Sequence, residues 1–263
     1  MNLDLDVLGA GSWTPRQPTE QELPLASGES AARPSTQLLA ARARGRASLL
    51  TLMFANVVEQ ASAGAGVKPE QLPSIYASAY GEMATTLSLL AMLHAGDGRL
   101  SPAKFQASVH NTAGGTISIA LSNRSFSTSI AAGYDTLAMA LIEAGAWLSR
   151  HPGLVLVACA DEGSPQPLLP ELSYDALAIG LVLSNAHSPG EGHQAPLARL
   201  GQLVQTTGPH AVEGERDNPC AAGLDLVRAV HAASTGSSET IVLNRSSRQP
   251  WQIDVSPASP YTS

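Results

Sequence analysis

Cysteine, aromatic side chains and charge are all scarce in this sequence. Cys159 and Cys220 are its two cysteines, with neither the paired spacing of a disulfide framework nor the Cys/His arrangement of a zinc site, which argues against both. Charged residues make up 14% of the chain and the formal net charge is −7. No basic footprint for nucleic acid or an anionic lipid surface is present, and Arg42, Arg44 and Arg46 form a short local cluster of the kind found on a solvated helix face. No run reaches the ~18 apolar residues of a membrane span. The segment Met1 to Trp13 lacks the basic start and long apolar core of a signal peptide, so the sequence predicts a cytoplasmic protein without a membrane span. Gly9-Ala10-Gly11 lacks the third glycine and the downstream acidic residue of a dinucleotide-binding turn, and no cofactor or metal is expected.

What the sequence does have is apolar residues, 44% over 263 positions, enough for the core of one large α/β domain. Leu3 to Leu8 alternates with Asp4 and Asp6 and stops at the glycines, which predicts a first strand. A polar stretch from Thr14 to Pro34 follows. Leu38-Leu39, Leu49-Leu50, Leu52-Met53 and Val57-Val58 then recur at helical spacing and predict one long helix ending near Gly64. Pro73 to Tyr80 reads as a short buried strand, followed after Gly81 by a helix through Met83, Leu87, Leu90 and Leu93. A short helix with Phe105, a loop from Val109 to Gly115 and a helix from Thr116 to Leu121 come next. Ser125 to Ile130 reads as a strand running into an alanine-rich helix that reaches Arg150. The continuous apolar run Leu154 to Ala160 predicts a central strand covered on both faces, hence a mostly parallel sheet between two helical layers. Leu177 to Ser184, Leu197 to Gln205, Glu239 to Leu243 and Trp251 to Val255 are further strands, with a helix over Pro219 to Ala233 and a loose tail from Pro257.

Phe126-Ser-Thr-Ser-Ile-Ala-Ala-Gly133, running into Tyr134 to Glu143, resembles the nucleophile elbow of the β-ketoacyl synthases, where a strand of the form Ile-Ser-Thr-Ala-Cys turns into a small-residue helix. Ser127 and Thr128 match, Ser129 takes the alanine's place, and Ile130 falls where the cysteine belongs. Val7 to Pro15 is similar to the family's opening strand and turn, Asn111 to Ala120 to one of its helix starts, and Ala158-Cys-Ala-Asp-Glu162 to its Ala-Gly-Gly-Thr-Glu segment. The resemblance covers residues 3 to 205. The family's second half, with its His-Gly-Thr-Gly-Thr motif and second catalytic histidine, has no counterpart before Ser263.

The resemblance implies a thiolase-like layered α-β-α fold with a mostly parallel five-stranded sheet. It divides the single domain 1–263 into a core over 3–205, a remnant of a truncated second half over 206–256 and the tail 257–263. It also implies an absent reaction. Decarboxylative condensation needs a thiolate to carry the acyl chain and two imidazoles to polarise the malonyl thioester, and Ile130 supplies neither. What remains is the role of chain-length factor, which dimerises with a cysteine-containing ketosynthase and walls its acyl tunnel. The short, cysteine-less form resembles subunits of aryl-polyene and xanthomonadin-type pigment clusters. On that reading Ile130, Ser129, Thr128, Phe126, His110, Asn111, Met83 and Glu82 are the tunnel or dimer-interface candidates, and the partners are the ketosynthase and the acyl chain on its acyl carrier protein. Two other readings stand beside it. One is a homodimeric protein that holds acyl chains unaided. The other is a serine acyltransferase or hydrolase working through Ser127 or Ser129 and a histidine, although no Gly-x-Ser-x-Gly elbow is present.

Overall fold

The computed structural model describes residues 1–15, 33–96, 100–164, 173–185, 194–206, 218–244 and 249–258. Most of the polar stretch from Thr14 to Pro34, and the tail beyond residue 258, lie outside them. In chain order the elements are β1 (Asn2–Trp13), α1 (Ala41–Arg44), α2 (Leu49–Gly64), β2 (Ser74–Ala77), α3 (Met83–Ala95), α4 (Pro102–Ala107), α5 (Thr112–Ala120), β3 (Ser127–Ile130), α6 (Thr136–Arg150), β4 (Leu154–Asp161), β5 (Leu177–Asn185), β6 (Ala198–Gln205), α7 (Ala222–Ala233), β7 (Glu239–Val242) and β8 (Trp251–Ser256).

The strands form one sheet in the order β3-β2-β4-β5-β1-β6-β8-β7. The layered α/β fold is as the resemblance implies, but the sheet corrects the five-stranded, mostly parallel expectation. Eight strands are present among the described residues; β2 runs parallel to β3 and β4, and the other five contacts are antiparallel. A continuous apolar run reports burial on both faces and carries no information on direction, which is why β4 and β5 misled. Both are buried along nearly their whole length.

Two cores flank the sheet. On one face α2 and α5 pack over Leu8, Tyr76, Leu156, Ala158 and Val182. On the other, α6 and α7 pack over Ile75, Ala77, Val155, Val157, Cys159 and Ile179. The alternation of β2 and β4 residues between these clusters is the two-residue period of a strand. β1 runs past its glycines to Trp13, longer than predicted, because Gly9 lets α2 lie directly on the strand: a Cβ there would sit 2.1 Å from the carbonyl oxygen of Ala61. The expected single helix from Leu38 is instead two. α2 starts at Leu49 because Ser48 caps it, its Oγ accepting from the Thr51 N–H at 3.0 Å. Arg44 is structural, donating to the carbonyls of Thr36 and Leu39, while Arg42 and Arg46 stay exposed.

Candidate functional site

β3 is one of the two edge strands of the sheet among the described residues, and it ends at Ile130. Its one neighbour is β2, with Ile75 opposite Thr128, Tyr76 opposite Ser129 and Ala77 opposite Ile130. Ile130 is half-buried against the core under α6. Beyond it the chain makes a short 3-10 turn over Gly133–Asp135 and enters α6. Thr136 closes this turn: its buried Oγ1 accepts from the Ala132 N–H at 2.9 Å and donates to the Gly133 carbonyl at 2.6 Å. Asn244, just past β7, donates to Asp135 Oδ1 at 2.6 Å and ties the far end of the chain to the same turn.

Ser78, one residue past β2, joins the rest. Its N–H donates to the Ile130 carbonyl at 3.0 Å, and its hydroxyl donates to Asp161 Oδ1 at 2.7 Å while accepting from the Gly81 N–H at 2.8 Å. Its carbonyl accepts from His110 Nε2 at 2.8 Å; a carbonyl cannot donate, so that ring nitrogen carries the proton. Gly81 has φ +61, and a Cβ there would meet His110 Cδ2 at 2.9 Å, so both the turn and the ring require glycine.

Asp161 closes β4 and is fully buried. Besides Ser78 it accepts the N–H groups of Ala79 and Tyr80, both at 3.0 Å, and the Cys220 thiol at 3.3 Å. Burial raises its pKa above the ordinary carboxylate value, and the hydrogen bonds, led by Ala79, work against the rise. The phenols of Tyr80, Tyr134 and Tyr174 crowd the same region; burial pushes Tyr174 up, and Tyr80, Asp161 and Tyr134 push it further.

Glu82, at the N-terminal end of α3, is buried, with the Ser48 hydroxyl donating to its Oε1 at 2.7 Å. Burial raises its pKa, Ser48 opposes the rise, and the charge of Glu162 adds to it. Glu162 accepts the Ala84 N–H at 3.0 Å, so a carboxylate caps the positive end of α3. Burial raises its pKa too, against the N–H groups of Ala84 and Leu50.

Of the sequence candidates, the structure brings Ile130, His110 and Glu82 around the Ser78–Glu82 turn. Met83 starts α3 half-buried, and Ser129 and Thr128 lie on the edge strand. Phe126 precedes that strand and stacks on Trp147 at 4.0 Å, which in turn stacks on His151 at 3.9 Å. Asn111 is apart from these: it is exposed at the start of α5, and its side chain caps nothing. Ser78 and Asp161 were missed as organising residues. The available signal was Asp161-Glu162, two carboxylates at the carboxyl end of an otherwise apolar strand. Among the described residues the serine-hydrolase reading gains no geometry: His110, His151 and His231 are each held at a backbone carbonyl, those of Ser78, Trp147 and Val227, and His94 is exposed near the end of α3. Gly9 and Gly11 lie within β1 against α2 rather than in a phosphate-binding loop.

Residues 13–252 match the β-ketoacyl synthase, N-terminal domain, family. The chain belongs to that family. No curated protein matches it in sequence. Among solved structures, this β-ketoacyl synthase-like chain is similar to one of a ketosynthase in complex with its chain length factor from Xenorhabdus doucetiae, at 20% identity and a TM-score of 0.66 over 96% of this chain and 99% of that one. It is similar to a type II polyketide-synthase acyl-carrier protein in complex with its hexaketide-bound ketosynthase, at 13% identity and a TM-score of 0.70 over 97% and 99%. The ishigamide ketosynthase/chain length factor matches at 14% identity and a TM-score of 0.59 over 78% and 67%. At these identities the likeness is one of fold.

Proposed function

We propose that the chain is a non-catalytic ketosynthase-like subunit, a chain-length factor, that pairs with a cysteine-containing ketosynthase and shapes its acyl tunnel in type II fatty acid or polyketide synthesis of the aryl-polyene kind. The observation that carries this reading is β3, an edge strand ending in Ile130. It offers no nucleophile at its tip and, among the described residues, an unpaired ladder along its outer side. The described residues also leave large apolar side chains exposed: Leu90 and Leu93 on α3, Phe105 (62% exposed) on α4, Val109, and Ile119 (81% exposed) on α5. We read these exposed side chains as part of an interface, and an obligate one buries on the order of 2,000 Å² or more. The partner's occupant is the acyl chain delivered by its acyl carrier protein. Ile130, His110, Met83 and Glu82 line this subunit's share of the wall, and Ser129, Thr128 and Phe126 its seam.

The test is to purify the chain together with the ketosynthase from its own cells and to read the lengths of the products. Ala and Trp substitutions at Ile130 and Met83 are expected to change those lengths while leaving the first condensation nearly intact. Ile130→Cys is expected not to give the lone chain condensing activity, because groups that act as a unit are not rescued singly. Unchanged lengths across the series remove the tunnel role. A stable homodimer that ignores the ketosynthase and binds acyl chains replaces it with the acyl-holding reading.

A further inference from the structure

The two cysteines, which nothing in their spacing relates, meet in the fold. Cys159 is on β4 and Cys220 stands two residues before α7, 61 positions on, and their sulfurs are 2.6 Å apart. Both are free thiols and both are fully buried. The approach is held from several sides. Asn218 donates to the carbonyls of Asp161 and Asp175 and accepts the Cys220 N–H at 2.9 Å, which pins the start of α7 to the end of β4. The Cys220 thiol donates to Asp161 Oδ2, so the proton between the sulfurs belongs to Cys159. Cys159 also lies in one cross-strand row with Ala77 and Ile130, two strand spacings or roughly 10 Å from the elbow.

We propose that Cys159 and Cys220 form a disulfide that welds β4 to α7 when the protein meets a small hydroperoxide oxidant. Burial excludes bulky disulfide oxidants, and it raises the Cys220 pKa well above the thiol value, so the reaction is slow until the thiol proton is removed. Asp161 is the group placed to take it. The Cys220 sulfur then attacks one oxygen of hydrogen peroxide and the O–O bond breaks. The leaving hydroxide recovers the proton from Asp161 as water, leaving a sulfenic acid. The Cys159 sulfur displaces the sulfenic oxygen, which leaves with the Cys159 proton as a second water. Two thiols and one peroxide thus give one disulfide and two waters. The cross-link costs Asp161 one of its donors at the junction that Ser78 relays to the elbow.

The experiment treats the folded chain with hydrogen peroxide, alkylates any remaining thiols after unfolding, and maps non-reduced peptides by mass spectrometry. The expected result is loss of two hydrogens, a single peptide pair joining Cys159 to Cys220, and a melting temperature about 5–10 °C higher, reversed by a phosphine reductant. In Cys159→Ser the expected product is a sulfenic acid on Cys220, trapped by dimedone. Two thiols still open to alkylation, or oxygen added at either wild-type cysteine without a cross-link, would overturn the proposal. Near-identical circular dichroism before and after treatment keeps a negative result from being one of unfolding.

Discussion

Two apolar helices of this chain meet opposite fates. α2 buries ten of its sixteen residues against β1, β4 and β5, among them Leu50, Met53 and Val57 with no exposed surface at all. α3, with the equally apolar sequence Met-Ala-Thr-Thr-Leu-Ser-Leu-Leu-Ala-Met-Leu-His-Ala, buries Leu89 alone. A helix that is hydrophobic all round belongs inside something. For α2 that something is its own sheet. For α3, the short α4 gives partial cover, and among the described residues Leu90 and Leu93 stay exposed. On the proposed reading, the difference separates residues that hold the chain together from residues that would meet a partner.

Substitutions sharpen the contrast, and the largest effect belongs to the covered side. Met53→Ala removes a fully buried side chain and is expected to cost about 2–5 kcal/mol, read as a lowered denaturant midpoint. Leu93→Ala, on the exposed side, is expected to stay within about 0.5 kcal/mol in the isolated chain. A loss at Leu93 equal to that at Met53 would erase the distinction.

A smaller effect is expected where the two regions join. Gly81 carries the chain from β2 into α3 at φ +61 against the His110 ring, and Gly81→Ala is expected to cost about 1–2 kcal/mol in the same titration. The smallest effect is electrostatic. Glu82 links the starts of α2 and α3 through Ser48 and holds its proton more tightly folded than unfolded. Its contribution is therefore fully present below the ordinary carboxylate value, near 4.5, and is lost as pH rises through the raised folded value. The melting temperature of Glu82→Gln should gain on that of the native chain as pH is raised from about 4.5 to 8. A difference independent of pH would show that Glu82 is not titrating in this window.

Much of the fold was legible in the sequence, element by element. The run read as a central strand over 154–160 is β4, and the strands read over 177–184, 197–205 and 239–243 stand within a residue of those positions. Strand direction was not legible, because β4 and β5 are apolar throughout and a two-sided burial pattern is the same for either direction. Nor was the start of α5. Gly114 and Gly115 read as loop, whereas the helix runs through them and Gly114 rides against Tyr76, where a Cβ would lie 2.6 Å from the ring. Of the site, the elbow expected at Ile130 was readable because it rests on a local run of residues. Asp161, Ser78 and the meeting of Cys159 with Cys220 depend on the β2–β4 pairing and on contacts 61 to 83 residues apart, which no local pattern records.

The central claim, that the exposed flank is one half of an interface, is tested most directly by light scattering on the purified chain mixed in equal amounts with a cysteine-containing ketosynthase from the same cells. The account predicts the mass of a one-to-one complex that persists at micromolar concentration, and its loss when Ile119 is replaced by Arg without change in the fold of the lone chain. A native chain that scatters as a 27.2 kDa monomer, indifferent to the ketosynthase, would contradict it.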